Sequence, residues 1–182
     1  IAAGEESYGY MVGDFVRDKD AVSACAFFAA MAANAKAEGK TLFEWLISMY
    51  VEFGFYKESL ITLTKKGQQG EQEIKAMMAK FRAQAPETIN NVRVERALDY
   101  GSSTEKNLIS KSDTALNFPK ADVLQYYLAD GTKISVRPSG TEPKIKFYIS
   151  VNTKLNSVGD FESVNQILEA NLKTVESYLL SL

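Results

Sequence analysis

VLQYYLADGTKISVRPSGTEPKIKFYISV, residues Val123–Val151, decides the fold. Val123 to Leu128 and Lys133 to Arg137 are two short runs rich in β-branched and aromatic residues, and Asp130-Gly131 lies between them as a turn. Such a pair reads as a β-hairpin, because Asp-Gly supplies the positive φ that a tight two-strand turn requires. After the Pro138–Pro143 loop, Ile145, Phe147, Ile149 and Val151 alternate with Lys144, Lys146 and Tyr148, which puts one apolar and one polar face on a third strand. Val92, Val94 and Leu98 alternate with Arg93 and Glu95 upstream in the same way. The chain closes on Phe161, Val164, Leu168, Leu172, Val175 and Leu179, the stripe of a long amphipathic helix. Strands followed by a helix predict an α+β unit, an antiparallel sheet with helices on one face.

The front of the chain follows period 3.6 instead. Asp18 or Asp20 caps a helix running to about Ala37, which Gly39 stops. Cys25, Phe28, Ala29 and Ala32 form its expected core face, and the surrounding alanines suggest close burial. Thr41-Leu42-Phe43-Glu44 spells a capping box, followed by the stripe Leu42, Trp45, Leu46, Met49, Tyr50 and Phe53. Phe55–Thr64 is compatible with a strand, and 65–70 reads as a polar linker. A short helix through Ile74, Met77, Met78 and Phe81 ends at Pro86, and Ser102–Ser112 is polar and loop-like. This divides the chain into a helical part over 1–55, a linker and connecting helix over 56–90, and a self-contained α+β unit over 91–182.

Composition narrows the chemistry. The 182 residues carry 21 Lys plus Arg against 23 Asp plus Glu, which argues against a nucleic-acid binder with a broad basic face. The absence of histidine removes His triads and His metal clusters, and the single cysteine, Cys25, removes a disulfide framework and fits a reducing, cytoplasmic setting. The most apolar stretch, Ala24–Ala33, is too short to span a bilayer, so no membrane partner is expected. The first residue is Ile1, with no signal peptide in view, and the chain reads as a piece of something longer. Asp14, Asp18 and Asp20 lack the glycine and closing glutamate of a calcium loop, so no metal is expected on them.

Two loops carry candidate chemistry. In Arg137-Pro138-Ser139-Gly140-Thr141-Glu142-Pro143 two prolines stiffen the backbone, and Gly140 permits a glycine-only conformation or close approach of a ligand. Ser139 and Thr141 offer hydroxyls, the amides of Ser139 to Thr141 could form an anion nest, and Arg137 offers a planar two-pronged donor. The same residues also suit a plain tight turn whose arginine makes a surface ion pair. In Gly4-Glu5-Glu6-Ser7-Tyr8-Gly9-Tyr10 two carboxylates and a hydroxyl sit between glycines, and one carboxylate can accept from two neighbouring sugar hydroxyls. A turn beside the chain end is the alternative there. Lys19, beside Asp18 and Asp20, has its ammonium form favoured.

Taken together, Gly4-Glu5-Glu6-Ser7, Arg17-Asp18-Lys19-Asp20 and Arg137-Pro138-Ser139-Gly140-Thr141-Glu142-Pro143, in this order, resemble the α-D-phosphohexomutase superfamily and its phosphoglucomutase/phosphomannomutase branch. The resemblance covers the whole chain, as the end of a third, sugar-binding domain (a helical remnant of an α/β domain) and a fourth, phosphate-binding domain with a TATA-binding-protein-like fold. It implies that Arg137, Ser139, Gly140 and Thr141 grip a substrate phosphate, and that Glu5, Glu6 and Ser7 read sugar hydroxyls. It also implies that Lys19 is a catalytic lysine that polarises or deprotonates the attacking hydroxyl. Glu6, where amino-sugar members tend to carry Gln, leans toward glucose or mannose phosphates.

The activity so implied is interconversion of hexose 1-phosphate and hexose 6-phosphate through a phosphoserine and a bisphosphate intermediate. The resemblance also implies that its magnesium loop and its phosphoserine loop belong to upstream domains of the same chain, and the Asp-Gly here, Asp130-Gly131, lies in a predicted hairpin turn. The piece alone is expected to recognise a phosphosugar without turning it over. A non-catalytic phosphosugar-binding module, a phosphopentomutase-like member and a phosphoglucosamine mutase stand as alternatives.

Overall fold

The computed structural model describes residues 2–5, 9–140 and 142–181. Two compact units divide at Phe53 and Gly54.

The first unit opens with a two-stranded antiparallel hairpin, β1 (Ala2–Gly4) and β2 (Tyr10–Val12). Helix α1 (Ala21–Ala37) starts at Asp20, whose carboxylate accepts from the backbone N–H groups of Val22 and Ser23, so the N-cap expectation holds. Gly39 lies just past the helix end at φ +73, in the left-handed region where a Cβ is costly. The capping box also forms. The Glu44 carboxylate accepts from Thr41 N–H at 2.8 Å and the Thr41 hydroxyl accepts from Glu44 N–H at 3.2 Å, launching α2 (Leu42–Phe53).

The expected core face of α1 requires correction. Cys25, Phe28 and Ala29 are exposed and Ala32 is half-buried, whereas Ala24 and Ala35 are the buried positions. Apolar residues ring this helix, so periodicity has no polar side against which to choose a face, and a small hairpin and one neighbouring helix cover only a strip of it.

The second unit is an antiparallel sheet of eight strands in the order β3-β10-β9-β8-β5-β6-β7, with the short β4 paired to β5. Residues 56–90, read from sequence as linker and connecting helix, contain secondary structure belonging to this unit. Strand β3 (Phe55–Thr64) pairs with β10 (Lys144–Thr153) over ten residues, and α3 (Gly67–Ala83) runs through the glycine-bearing stretch read as linker. The Gly-Gln-Gln-Gly composition hid this helix start, because Gly67 at φ +68 only opens it and Gly70 is buried, where a Cβ would come within 2.6 Å of Lys65.

Strands β4 (Thr88–Ile89) and β5 (Val92–Asp99) are joined by Asn90-Asn91, both at positive φ, which is the two-residue turn asparagine tolerates best after glycine. The polar 102–112 stretch is loop-like only in part, with turns over 102–103 and 108–111. It forms β6 (Thr104–Asn107), pairing with β7 (Ser112–Ala115), and its polarity reflects an edge hairpin with little to bury.

Strands β8 (Leu124–Leu128) and β9 (Lys133–Pro138) form the expected hairpin. At its turn Gly131 sits at φ +85, and a Cβ there would come within 2.9 Å of the Asn152 amide, so glycine is required twice over.

Helix α4 (Phe161–Leu180) follows a short 3-10 turn and buries Leu168, Leu172, Val175 and Leu179 against β10 and β3. The Phe81 ring of α3 meets the Phe147 ring edge-on at 6.3 Å from the same side, so both helices cover one face of the sheet. Phe147, Ile134, Ile145, Ile149, Leu155 and Leu168 are fully enclosed there. Among the described residues no helix is long and apolar enough to cross a membrane.

Candidate functional site

The phosphate-loop candidate hangs between β9 and β10. Their register sets Pro138 opposite Ile145 and Arg137 opposite Lys146. Val136 and Phe147 point into the core, so Arg137 and Lys146 emerge together on the opposite, helix-free face, two cations directly across a strand pair. Like charges so placed repel unless an anion or a third group offsets them. The loop's own acid does not serve Arg137, because Glu142 ion-pairs with Lys144, whose ammonium holds the Glu142 carboxyl below its usual range. Among the described residues Arg137 makes no ion pair, although it is exposed. Lys146 lies over the Tyr148 ring at 5.9 Å.

The backbone of the loop departs from expectation in two ways. Gly140 does not occupy a positive-φ conformation, so its use is not conformational; a Cβ at this position would meet open space, and the backbone is accessible to a ligand there. The three-amide nest is reduced as well, since the Ser139 N–H donates to the Lys144 carbonyl at 2.8 Å. Gly140 retains its amide for a ligand, and Thr141 lies outside the described residues. Lys146 was not selected from sequence. Its period-2 position placed it on the polar face, but only the strand register puts it beside Arg137.

The sugar-loop candidate belongs to the first unit and is described separately. The Glu5 N–H donates to the Gly9 carbonyl at 2.9 Å, and Glu6, Ser7 and Tyr8 lie outside the described residues. Lys19 reaches back over the hairpin, its Nζ 3.4 Å from Glu5 Oε1 and 3.4 Å from Asp18 Oδ1. Gly9 makes room for it, because a Cβ there would come within 2.7 Å of Lys19 Cδ. The charges of Glu5 and then Asp18 hold the Lys19 ammonium above its usual range. The Asp18 carboxyl is held low, first by accepting from the Lys19 N–H and then by the Lys19 charge. Arg17 joins them around a shallow cavity of about 160 Å³. The structure therefore brings together Glu5 and Lys19, distant in sequence, and adds Arg17.

Among the described residues no group of three or more acidic, histidine or cysteine side chains could hold a metal ion. The side chains present offer cationic donors on one unit, and a carboxylate beside a protonated amine on the other.

Comparison with known proteins gives these sites a context. Residues 1–53 match the phosphoglucomutase/phosphomannomutase alpha/beta/alpha domain III, and residues 71–154 match the phosphoglucomutase/phosphomannomutase C-terminal domain. A phosphoglucomutase of Staphylococcus haemolyticus (strain JCSC1435) is 38% identical over 166 residues, covering 91% of this chain and 29% of the relative. A phosphoglucomutase of Staphylococcus aureus (strain USA300) is 37% identical over 170 residues, covering 93% of this chain and 30% of the relative. The chain thus spans about 30% of the length of the curated relatives it matches. In fold, it is similar to the open form of the exocytosis-sensitive phosphoprotein pp63/parafusin from Paramecium, with a TM-score of 0.51 at 15% identity, over 94% of this chain and 29% of that one.

Proposed function

The chain belongs to the phosphoglucomutase/phosphomannomutase family, and we propose on that premise that it supplies sugar and phosphate recognition to a phosphohexomutase. The reaction so read moves phosphate between the 1- and 6-positions of a glucose or mannose phosphate, through an enzyme phosphoserine and a bisphosphate intermediate. The observation that supports it most is the Arg137–Lys146 cross-strand pair, two cations facing one way with Arg137 unclaimed by any described acid. A phosphate group between them would accept charge-assisted hydrogen bonds from both side chains, and further bonds from the Gly140 amide and the Ser139 and Thr141 hydroxyls.

In the same reading Glu5, Glu6 and Ser7 accept from and donate to sugar hydroxyls. Lys19 acts there as a protonated donor that polarises the attacking hydroxyl, because the neighbouring Glu5 and Asp18 carboxylates favour its charged form. Magnesium, which would neutralise charge on the transferring phosphate, is placed in this reading on the part of the enzyme that this chain does not span. The setting proposed is cytoplasmic, with the upstream domains of the same chain as partners.

The test is a coupled mutase assay on the full-length parent with glucose 1-phosphate and mannose 1-phosphate. Formation of the 6-phosphate is expected from the parent, and none from the 182-residue chain. A parent inactive on both sugars overturns the substrate assignment, and turnover by the chain alone overturns the recognition-only role.

A further inference from the structure

Lys146 and Tyr148 share the helix-free face of β10, because the alternate residues Phe147 and Ile149 are buried on the other side. The register fixes their neighbours. Lys146 lies between Thr62 on β3 and Arg137 on β9, and Tyr148 lies between Leu60 and Ser135 on the same two strands. Glu142, the acid of the adjoining loop, ion-pairs with Lys144. The Lys146 Nζ lies over the Tyr148 ring, 5.9 Å from its centroid, within the range at which the negative face of a ring attracts an ammonium. Lys146 thus meets a second cation across the strand pair and a ring face along its own strand. The cation pushes the ammonium away, whereas the ring retains it. Tyr148 is half-buried, and a ring set by two side-chain torsions is a stiffer support than the flexible lysine stem above it.

We propose that Tyr148 is a positioning residue for phosphate binding, a role that rests on the reading of Arg137 and Lys146 as the phosphate pair. Its ring face holds the Lys146 ammonium beside Arg137 against their mutual repulsion, so that both cations are in place before the phosphate arrives. An ammonium carries three N–H donors and the ring covers one side of it, so contact with Tyr148 and donation to a phosphate oxygen are compatible. Without the ring the lysine stem can swing away from Arg137, and binding must first order it again.

The experiment is an NMR titration of the ¹³C,¹⁵N-labelled chain, and of its Tyr148→Phe and Tyr148→Leu variants, with inorganic phosphate. In the unaltered chain the Lys146 ε-methylene protons are expected upfield of those of the other lysines, because a ring shields protons above its face. They should stay upfield in Tyr148→Phe and lose that shift in Tyr148→Leu. Phosphate is expected to bind Tyr148→Phe as it binds the unaltered chain, and Tyr148→Leu about two- to fivefold more weakly. In a Lys146→Ala background Tyr148→Leu is expected to cause no further loss, since the ring then has no ammonium to hold. Lys146 protons without the upfield shift, or a Leu variant that binds phosphate as tightly as the Phe variant or more so, overturns the positioning role and leaves the phosphate pair standing. Phosphate that perturbs neither Arg137 nor Lys146 in the unaltered chain overturns the phosphate reading and the positioning role with it. The upfield shift is read on the unaltered chain and so decides even where the Leu variant fails to fold.

Discussion

Arg137→Ala separates a ligand-binding cation from a structural one, because the two roles predict opposite signs. Arg137 is exposed, faces Lys146 across β9 and β10, and has no acidic partner among the described residues. Removing it therefore deletes no ion pair among the described residues and takes away a like charge directly across the strand pair, an effect of at most about 1 kcal/mol. The thermal midpoint of the second unit should hold or rise slightly.

Phosphate binding should move the other way. A charge-assisted hydrogen bond contributes about 1.5–3 kcal/mol, and a two-pronged contact puts the loss at roughly 2–3 kcal/mol, or about 30- to 150-fold in affinity. The assay is isothermal titration of a hexose phosphate into the parent enzyme and its variant, with a melting curve recorded on each. Lys146→Ala should weaken the same ligand, and the double variant should lose less than the sum of the two, since both cations hold one group. An affinity within twofold of the unaltered protein, or a variant that melts markedly lower, would refute the reasoning.

Three further outcomes follow from other parts of the molecule. Hydrogen bonds from the Thr41 backbone N–H and then its hydroxyl hold the Glu44 carboxyl below the usual glutamate range, so the box stabilises the first unit fully above that range. Its contribution is lost as pH falls through the lower folded value; melting followed by Trp45 fluorescence should show this acid-side slope, and Glu44→Gln should flatten it. Glu5→Gln removes the largest influence raising the Lys19 pKa, so ¹³C NMR of the Lys19 side chain should report a lower value; an unchanged one would contradict the pairing. Leu168, on the buried face of α4, is 0% exposed, and Leu168→Ala should cost about 2–5 kcal/mol in urea unfolding of the second unit.

Much of the fold was legible because local rules governed it. The Asp20 cap, the Thr41–Glu44 box, the Asp130-Gly131 turn and the Leu168–Leu179 stripe each depend on residues within a few positions of one another. Where packing rather than local chemistry decides, the sequence pattern and the structure part. Cys25 and Phe28 were assigned to a core they do not reach, and a helix start at Gly67 and an edge hairpin at Thr104–Ala115 passed for linker and loop. Glycines and polar edge residues carry little periodicity, so nothing local marked them.

The candidate site divides the same way. By itself the sequence determined the parts: a proline-stiffened loop with Arg137, Ser139, Gly140 and Thr141, and carboxylates near Lys19 with no histidine beside them. Residue type sets charge, donor count and backbone freedom before any folding occurs. Tertiary structure alone decided which of these parts meet. Strand register put Lys146 beside Arg137, and the return of the chain over the hairpin set Lys19 on Glu5. It also bound the Ser139 amide to the Lys144 carbonyl at the start of β10. Those pairings join residues whose separation along the chain carries no periodic signal, and only the hydrogen-bonded ladder and the packing of side chains fix them in space.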